Sequence, residues 1–263
     1  MLTFVGLGLY DERSVTLAGR DAIRGADRVF AEFYTSQLAG TTIDALEDFH
    51  DIEIEVRDRA GVEQDPDPIL AAAASGDAVF LTAGDTMIST THVDLRLRAE
   101  DRGVETRVIH GTTAQAAASS LTGLQNYRFG KATTLPFERS HGGDGVPGSV
   151  IETIEANQER GLHTLVFLDI TAESDEGTYM RGDGAATLLA EHWRPDALGT
   201  VVARAGSADP VIRAGRLADL AEMDFGDPLH LLVVPGSLHY LERDALAAIG
   251  DGPAAVLDEN TVE

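Results

Sequence analysis

The chain has 263 residues and no cysteine, and it carries 44 acidic against 20 basic side chains, a formal net charge of -24. The lack of cysteine excludes disulfides, thiolate zinc sites and cysteine nucleophiles, while the negative charge disfavours binding to nucleic acid or anionic membranes. Hydrophobic residues make up 43% of the chain, enough for the core of one large domain or two of ordinary size.

The acidic residues are spread over every segment rather than collected in a tail, and Lys131 is the only lysine. This distribution predicts a folded surface adapted to high salt, because screening at molar salt shortens the Debye length to about 3 Å. The sequence opens on a strand pattern without a basic leader, and no apolar run reaches membrane-spanning length. We therefore predict a soluble, cytoplasmic protein from a source that accumulates salt.

The fold should lose stability as salt falls from molar to tens of millimolar. The Debye length then grows to roughly 10–30 Å, so that carboxylate repulsion acts across a whole domain. The melting temperature, followed by circular dichroism at both salt concentrations, measures this. An unchanged melting temperature would contradict the high-salt interpretation.

In chain order, the first predicted element is a strand that begins at Leu2 and runs into Gly6 and Gly8. These glycines have the spacing that starts a dinucleotide fingerprint, but Asp11 occupies the third position, where helix packing needs Gly or Ala. A helix capped by Ser14 or Thr16 follows. A second strand is predicted over residues 27–32, so the chain opens as strand, helix, strand.

Two later strands end in glycine turns. An apolar run from Val79 leads to Gly84 and Asp85, and a run from Val104 to Ile109 leads to the segment 110–113, His-Gly-Thr-Thr. In parallel α/β folds, such turns lie at the carboxyl edge of the sheet, where ligands bind. An ordinary surface turn followed by a capped helix is the alternative interpretation of the Asp85 turn.

The second half of the chain predicts another α/β unit. A loose, glycine-rich segment at 139–148 is predicted as a mobile loop. Helices are predicted for residues 149–158 and 238–249, and strands for 165–170, 199–207 and 230–234.

No standard catalytic motif is present. The eight histidines are scattered without metal-binding spacing, so no metal site is expected, and the signatures of α/β-hydrolases and P-loop enzymes are missing. Asp169, at a strand end, is either a ligand for a ribose or amine or a turn cap. This pattern favours chemistry carried by an activated cosubstrate that the protein orients.

Several segments, in order over nearly the whole chain, closely resemble the diphthine synthases. They include Glu32-Phe33-Tyr34-Thr35-Ser36, Thr90-Thr91-His92, Thr122-Gly123-Leu124-Gln125 and Ala203-Arg204-Ala205-Gly206-Ser207. The first two are specific for diphthine synthases. The N-terminal glycine turn indicates only the wider, tetrapyrrole-methylase-like class of S-adenosylmethionine methyltransferases.

The resemblance implies two α/β domains, residues 1–111 and 112–263, with a cofactor cleft between them. It implies transfer of methyl groups from S-adenosylmethionine to the amino nitrogen of a 3-carboxy-3-aminopropyl histidine on translation elongation factor 2. In an archaeal setting three methylations are implied, with S-adenosylhomocysteine as the by-product. A homodimer is expected, without nucleic acid or membrane partners.

Carried over position by position, the resemblance places eight cofactor contacts. They are Leu9, Asp85, Ile88, Thr113, Ala114, Leu168, Ala205 and His230. Ala83 and Thr86 stand where the family often has prolines, which puts the stiffness of the Asp85 turn in question. For Asp85→Asn we predict weaker cofactor binding with little change in thermal stability.

The sequence assigns no general base, since Asp11, Glu32, Asp85 and Asp169 all lie near predicted strand ends. Two other functions stay open at this point. One is a tetrapyrrole C-methyltransferase of the same class. The other is a non-catalytic, nucleotide-sensing domain with a degenerate glycine turn.

Overall fold

The computed structural model describes residues 1–171 and 178–262. The contacts divide the chain into two compact units, Met1–Thr113 and Ala114–Glu263. The domain boundary predicted from the sequence, between residues 111 and 112, lies two residues earlier. Within the described residues, no helix combines the length and the hydropathy needed to cross a membrane.

The first unit is a parallel sheet covered by helices on both faces. Its strands are β1 (Leu2–Gly6), β2 (Arg28–Glu32), β3 (Ile54–Val56), β4 (Ala78–Thr82) and β5 (Thr106–Ile109). Its helices are α1 (Leu17–Arg24), α2 (Ile43–His50), α3 (Arg59–Glu63), α4 (Asp67–Ser75) and α5 (Val93–Asp101). The strands lie in the order β3-β2-β4-β1-β5, and all pairs are parallel.

Successive apolar residues of the strands point to opposite faces of this sheet and supply a hydrophobic core on each face. Phe4 and Phe80 belong to the core that packs on α4 and α5, whereas their neighbours Val5 and Leu81 belong to the core that packs on α1 and α2. Strands buried on both faces read as continuous apolar runs, which is why β1 and β4 were predictable.

The strand order creates a switch point between β4 and β1. After β1 the chain moves to β2 and β3 on one side, then returns to β4 and crosses to β5 on the other side of β1. The turns after β1 and β4 therefore leave the sheet where the direction of winding reverses. Open α/β sheets bind their ligands at such a point.

The second unit is a mixed sheet with helices on both faces. Its strands are β6 (Thr133–Leu135), β7 (Thr164–Leu168), β10 (Leu198–Ala203), β11 (Val211–Arg216) and β12 (His230–Val234), and a separate ribbon is formed by β8 (Ile170–Thr171) and β9 (Thr178–Tyr179). Its helices are α6 (Ala114–Thr122), α7 (Glu138–His141), α8 (Gly148–Gln158), α9 (Gly182–His192), α10 (Leu217–Leu220), α11 (Tyr240–Ile249) and α12 (Ala254–Glu259). The sheet order is β11-β10-β12-β7-β6, in which β6 and β7 are parallel and the other neighbours antiparallel.

The second unit differs from the predicted elements at two points. The strand predicted over 199–207 ends at Ala203, and the chain returns as β11, which was not predicted. The segment predicted as a loose loop contains the short helix α7, and the backbone N–H of Gly145 donates to Glu138 Oε1 at 2.7 Å. The predicted mobility of this segment stays a prediction.

A buried carboxylate, Glu242, joins separate segments of the second unit. Its Oε1 accepts hydrogen bonds from the backbone N–H of Gln125 (2.9 Å) and from His163 Nε2 (3.0 Å). Its Oε2 accepts from Arg128 Nη1 (2.5 Å) and from the backbone N–H of His239 (2.8 Å). Burial raises the pKa of Glu242, but the hydrogen bonds from His239, Gln125 and His163 outweigh it and hold this pKa below its usual value. The side chain is fully buried and stays ionised.

The tautomer of His163 follows from the same network. Its Nδ1 accepts a hydrogen bond from the backbone N–H of Gly236 (3.1 Å), so its Nε2 carries the proton donated to Glu242. Burial lowers the pKa of His163, in agreement with a neutral ring. All polar atoms of this histidine are thus used within the fold.

Candidate functional site

The turns after β1 and β4 are hydrogen-bonded to each other. The N–H of Gly84 donates to the carbonyl of Gly8 (2.6 Å), and the N–H of Gly8 donates to the carbonyl of Gly84 (3.2 Å). Both glycines have positive φ, +83° for Gly8 and +76° for Gly84, a conformation that other residues adopt at a cost. The switch point of the first unit is therefore closed by backbone contacts.

The turn after β5 joins this arrangement through two further glycines. A Cβ on Gly6 would lie 2.5 Å from the Gly84 carbonyl oxygen and 2.6 Å from the Gly111 nitrogen. A Cβ on Gly111 would overlap the same carbonyl and lie 2.7 Å from the carbonyl carbon of Gly6. We call Gly6, Gly84 and Gly111 the glycine junction. Since β1 lies between β4 and β5, the two outer turns meet across its end only because Gly6 and Gly111 lack side chains.

Asp85 ties the turns together with its carboxylate. Oδ1 accepts from the backbone N–H of Met87 (2.9 Å), while Oδ2 accepts from His110 Nδ1 (2.8 Å) and from the N–H of Gly111 (3.2 Å). The Asp85 side chain is 2% exposed. Asp85 therefore stabilises the site, and the expectation that Asp85→Asn leaves stability unchanged does not fit these contacts.

The Asp85 turn is supported from behind by a second buried pair. Glu32, at the end of β2, accepts hydrogen bonds from the N–H groups of Tyr34 and Thr35, both at 3.0 Å. His92 lies with Nε2 3.5 Å from Glu32 Oε1 and Nδ1 3.1 Å from the Thr86 carbonyl. Burial lowers the pKa of His92, so the neutral ring donates from Nδ1 to Thr86. The segments 32–36 and 90–92, which carry the narrower resemblance, thus meet beneath this turn.

Four of the predicted cofactor contacts lie at the carboxyl edge of the first sheet. Leu9 follows β1, Asp85 and Ile88 follow β4, and Thr113 follows β5. Ile88 has a large apolar side chain that is 43% exposed. A Cβ at Gly84 would meet no atom within 4 Å, so the outer side of the turn is open.

The other four predicted contacts belong to the second unit. Ala114 is the first residue of α6. Leu168 ends β7, Ala205 lies two residues beyond β10, and His230 begins β12, where it pairs with Ala203. Because β12 runs antiparallel to both β7 and β10, its start lies at the same edge as their ends. The structure therefore brings Leu168, Ala205 and His230 to one edge of this sheet.

His230 also has a structural task. Its Nδ1 accepts from the N–H of Gly182 (2.9 Å) at the start of α9, and its Nε2 donates to the Asp227 carbonyl (3.0 Å). Burial lowers the pKa of His230, which agrees with a neutral ring that accepts at one nitrogen and donates at the other.

Asp169 is a turn cap, one of the two roles considered for it. Its Oδ2 accepts from the N–H of Phe137 and from Ser140 Oγ, both at 2.9 Å, and its Oδ1 accepts from the N–H of Ile170 at 3.0 Å. These bonds fix the segment after β6 against the end of β7.

Comparison with known proteins identifies the family. The family described as Tetrapyrrole (Corrin/Porphyrin) Methylases matches residues 1–221. A diphthine synthase of Halobacterium salinarum is 70% identical over 98% of this chain and 100% of its own length, and one of Methanosarcina acetivorans is 47% identical over 98% and 99%. A crystal structure of a diphthine synthase superposes with a TM-score of 0.89 at 37% identity, covering 98% of each chain. The chain belongs to the diphthine synthases of the tetrapyrrole methylase family.

Family membership confirms the predicted fold class, with two α/β units of the tetrapyrrole methylase type. As a diphthine synthase the chain is a methyltransferase, and neither a tetrapyrrole C-methyltransferase nor a nucleotide-sensing domain is favoured. Diphthine synthases similar to it come from halophilic archaea, which fits the high-salt surface predicted from the charge.

His110 is the residue of this site that sequence reasoning missed. The sequence alone gives it no role beyond its place in the turn 110–113, whereas it contacts Asp85 directly. The signal was present, since Asp85 and His110 each follow a strand that ends in a glycine turn, but the pairing of the two residues depends on the strand order.

In the part of the chain that the structure describes, no group of three or more histidine, aspartate or glutamate side chains could hold a metal ion.

Proposed function

We propose that the enzyme transfers three methyl groups from S-adenosylmethionine to the amino nitrogen of a 3-carboxy-3-aminopropyl histidine on translation elongation factor 2. The observation that carries this proposal is the 70% identity to a diphthine synthase over nearly the entire chain. The trimethylammonium product and the elongation-factor substrate come from what is implied for this family in archaea.

The residues of the two sheet edges fit such a cosubstrate. Ile88 offers an exposed apolar surface next to the open side of the Gly84 turn, and the buried Asp85 carboxylate places negative charge beneath it. S-adenosylmethionine carries a sulfonium and an amino group, both positive, and supplies an electrophilic methyl group when bound. We assign its binding to Leu9, Asp85, Ile88, Thr113, Ala114, Leu168, Ala205 and His230.

Asp85→Asn tests this assignment. The free energy of unfolding should be about 1–3 kcal/mol lower in the variant than in the parent, because the amide NH₂ replaces an oxygen that accepts backbone or His110 hydrogen bonds. Its affinity for S-adenosylhomocysteine should fall roughly ten- to a hundredfold, through loss of the negative charge near the ligand. Calorimetric titration and thermal unfolding measure the two effects separately.

Asp94→Asn is the matched control, since Asp94 is an exposed carboxylate on α5 that pairs with Arg98. It should change neither quantity appreciably, because exposed ion pairs contribute about 0–1 kcal/mol. An Asp85→Asn variant that binds S-adenosylhomocysteine as tightly as the parent would remove Asp85 from the cofactor site.

The chain's contribution to the chemistry is orientation. Methyl transfer to nitrogen is an in-line displacement that requires an unprotonated amine close behind the methyl carbon, and holding the two reactants in place can supply much of the acceleration. The glycine junction and the Asp85 hydrogen bonds give the first sheet edge the rigidity that such positioning requires.

We further propose that the enzyme works in the cytoplasm, where its elongation-factor substrate functions, and that it forms a homodimer, as is usual in its class. Light scattering in molar salt measures the mass of the assembly. A monomer mass under those conditions would contradict the homodimer.

A methyl-transfer assay tests the function. The enzyme, S-adenosylmethionine and elongation factor 2 carrying the modified histidine are incubated in molar salt, and the factor is analysed by mass spectrometry. Addition of the mass of three methyl groups to the modified histidine is expected. Methylation of a porphyrinogen instead would favour the tetrapyrrole enzyme, and binding of S-adenosylhomocysteine without transfer to either would favour a sensing domain.

A further inference from the structure

His110 and Asp85 form a hydrogen-bonded pair at the switch point of the first unit. Asp85 Oδ2 lies 2.8 Å from His110 Nδ1, and the two side chains differ sharply in exposure, at 2% for Asp85 and 75% for His110. The carboxylate is held in turn by the N–H groups of Met87 and Gly111. A fixed, buried carboxylate therefore orients an imidazole that is open to solvent.

The hydrogen bond fixes the tautomer of the ring. An aspartate that accepts backbone N–H bonds is an acceptor, so His110 Nδ1 carries a proton and Nε2 of the neutral ring has a free lone pair. Asp85 is the ionisable side chain to which His110 is bonded, and within residues 1–171 and 178–262 its Nε2 receives no hydrogen bond. A carboxylate, an oriented imidazole and an accessible Nε2 are the parts of a general base.

We propose that His110 is the general base of methyl transfer and that Asp85 is its positioning residue. This inference rests on the proposed function, in which the acceptor is an amine. At neutral pH that amine is mostly an ammonium ion without a lone pair. His110 Nε2 accepts one proton from it, the freed nitrogen lone pair forms the new bond to the methyl carbon, and the carbon–sulfur bond breaks with its electron pair going to sulfur.

The proton balance explains why the base must be exposed. The first and second transfers leave ammonium ions that must lose a proton before the next transfer, so three protons are removed in total and the final quaternary nitrogen carries none. The imidazolium formed each time must release its proton to water before the next cycle. An imidazole that is 75% exposed can do so.

The other candidate bases accept hydrogen bonds within the fold or are buried. Asp11 Oδ1 accepts from the N–H of Arg13 and from Ser14 Oγ, Glu32 is completely buried, and Asp169 caps its own turn. His110 differs from all three because its basic atom faces solvent while its other ring nitrogen is fixed.

His110→Asn isolates the proton-accepting atom. The Asn side-chain NH₂ can replace Nδ1–H as the donor to Asp85, so the turn is preserved, whereas nothing replaces the Nε2 lone pair. Calorimetry should give an S-adenosylhomocysteine affinity within about twofold of the parent value, in the range that exposed substitutions cause. His192→Asn, which alters an exposed histidine in the last turn of α9, is the matched control and should leave transfer unchanged.

The rate of methyl transfer to elongation factor 2 should fall on the order of 10²- to 10⁴-fold at neutral pH in His110→Asn. The deficit should shrink as the pH approaches the pKa of a free primary amine, roughly 8 to 10, because the substrate then loses its proton without help. Added imidazole should partly restore activity to His110→Ala.

Three outcomes overturn the inference. If His110→Asn transfers methyl groups at the parent rate, His110 is not the general base. If the loss of transfer rate is the same at every pH, His110 has a role in binding or structure instead. If the parent enzyme itself transfers no methyl group to the elongation factor, the proposed function fails and the base fails with it.

Discussion

Gly111→Ala should disable the proposed cofactor site and destabilise the first unit. The added Cβ overlaps the Gly84 carbonyl and comes within 2.7–2.8 Å of Gly6, so the turns after β4 and β5 must separate. Overpacking of this kind costs about 1–3 kcal/mol, and separation also breaks the Asp85 bonds to Gly111 and His110. Because a displacement of about 1 Å at a catalytic geometry can cost roughly a hundredfold in rate, methyl transfer should fall by at least that factor.

Thermal unfolding measures the loss of stability, titration with S-adenosylhomocysteine measures the damage to the proposed cofactor site, and the methyl-transfer assay measures the loss of rate. Gly184→Ala is the matched control, since a Cβ at this position in α9 meets nothing within 4 Å. A helical Gly→Ala change of this type stabilises by about 0.5–1 kcal/mol. Wild-type stability and affinity in Gly111→Ala would show that the three turns can separate without consequence for the site.

Glu242→Gln should have the largest effect on the stability of the second unit. The Glu242 carboxylate accepts four hydrogen bonds in the fold. The side-chain amide of the Gln variant presents an NH₂ group to two of those donors, so these two hydrogen bonds are lost. Arg128, which is 20% exposed, also loses its counter-charge. Breaking a buried ion pair by removing one partner costs about 3–5 kcal/mol, to be measured by denaturant unfolding at pH 7.

The pH dependence of this loss gives a second, independent measurement. The pKa of Glu242 is lowered in the fold, so its stabilisation is present above the unfolded value of about 4.5 and disappears as the pH falls through the folded value. The difference between parent and variant should therefore be constant near neutral pH and narrow in acid. Glu259→Gln, which alters an exposed carboxylate paired with Arg216, should cost at most about 1 kcal/mol. Equal losses in the two variants would contradict the role of Glu242.

The central strands β1, β2 and β4 of the first unit were predictable because they are buried on both faces. Such strands appear as unbroken apolar runs, and the helices between them carry regular caps, such as Thr16 for α1. In the second unit, β11 was missed because Arg213 and Gly215 interrupt its pattern, and it is stabilised by antiparallel pairing with β10. Pairing of this kind is a tertiary effect that local sequence does not contain.

The candidate site was predictable as a set of strand ends, but not as a set of contacts. Asp85 was predicted on a ligand turn, yet its burial depends on Gly111, which is distant in sequence. The pairing of Asp85 with His110 requires β1 to lie between β4 and β5 and Gly6 to let the turns meet across it. Neither condition follows from residue spacing, which is why no general base was assigned from sequence.

The central position of β1 also sets the order in which the first unit can form during synthesis. This strand leaves the ribosome before both of its partners, and its hydrogen bonds to β4 and β5 wait for residues 78–82 and 106–109. The contacts of highest sequence separation are thus made last, and such contacts slow folding. The glycine junction closes only when Gly111 has emerged, so a nascent chain of the first unit acquires its candidate binding edge at the end of its synthesis and not gradually.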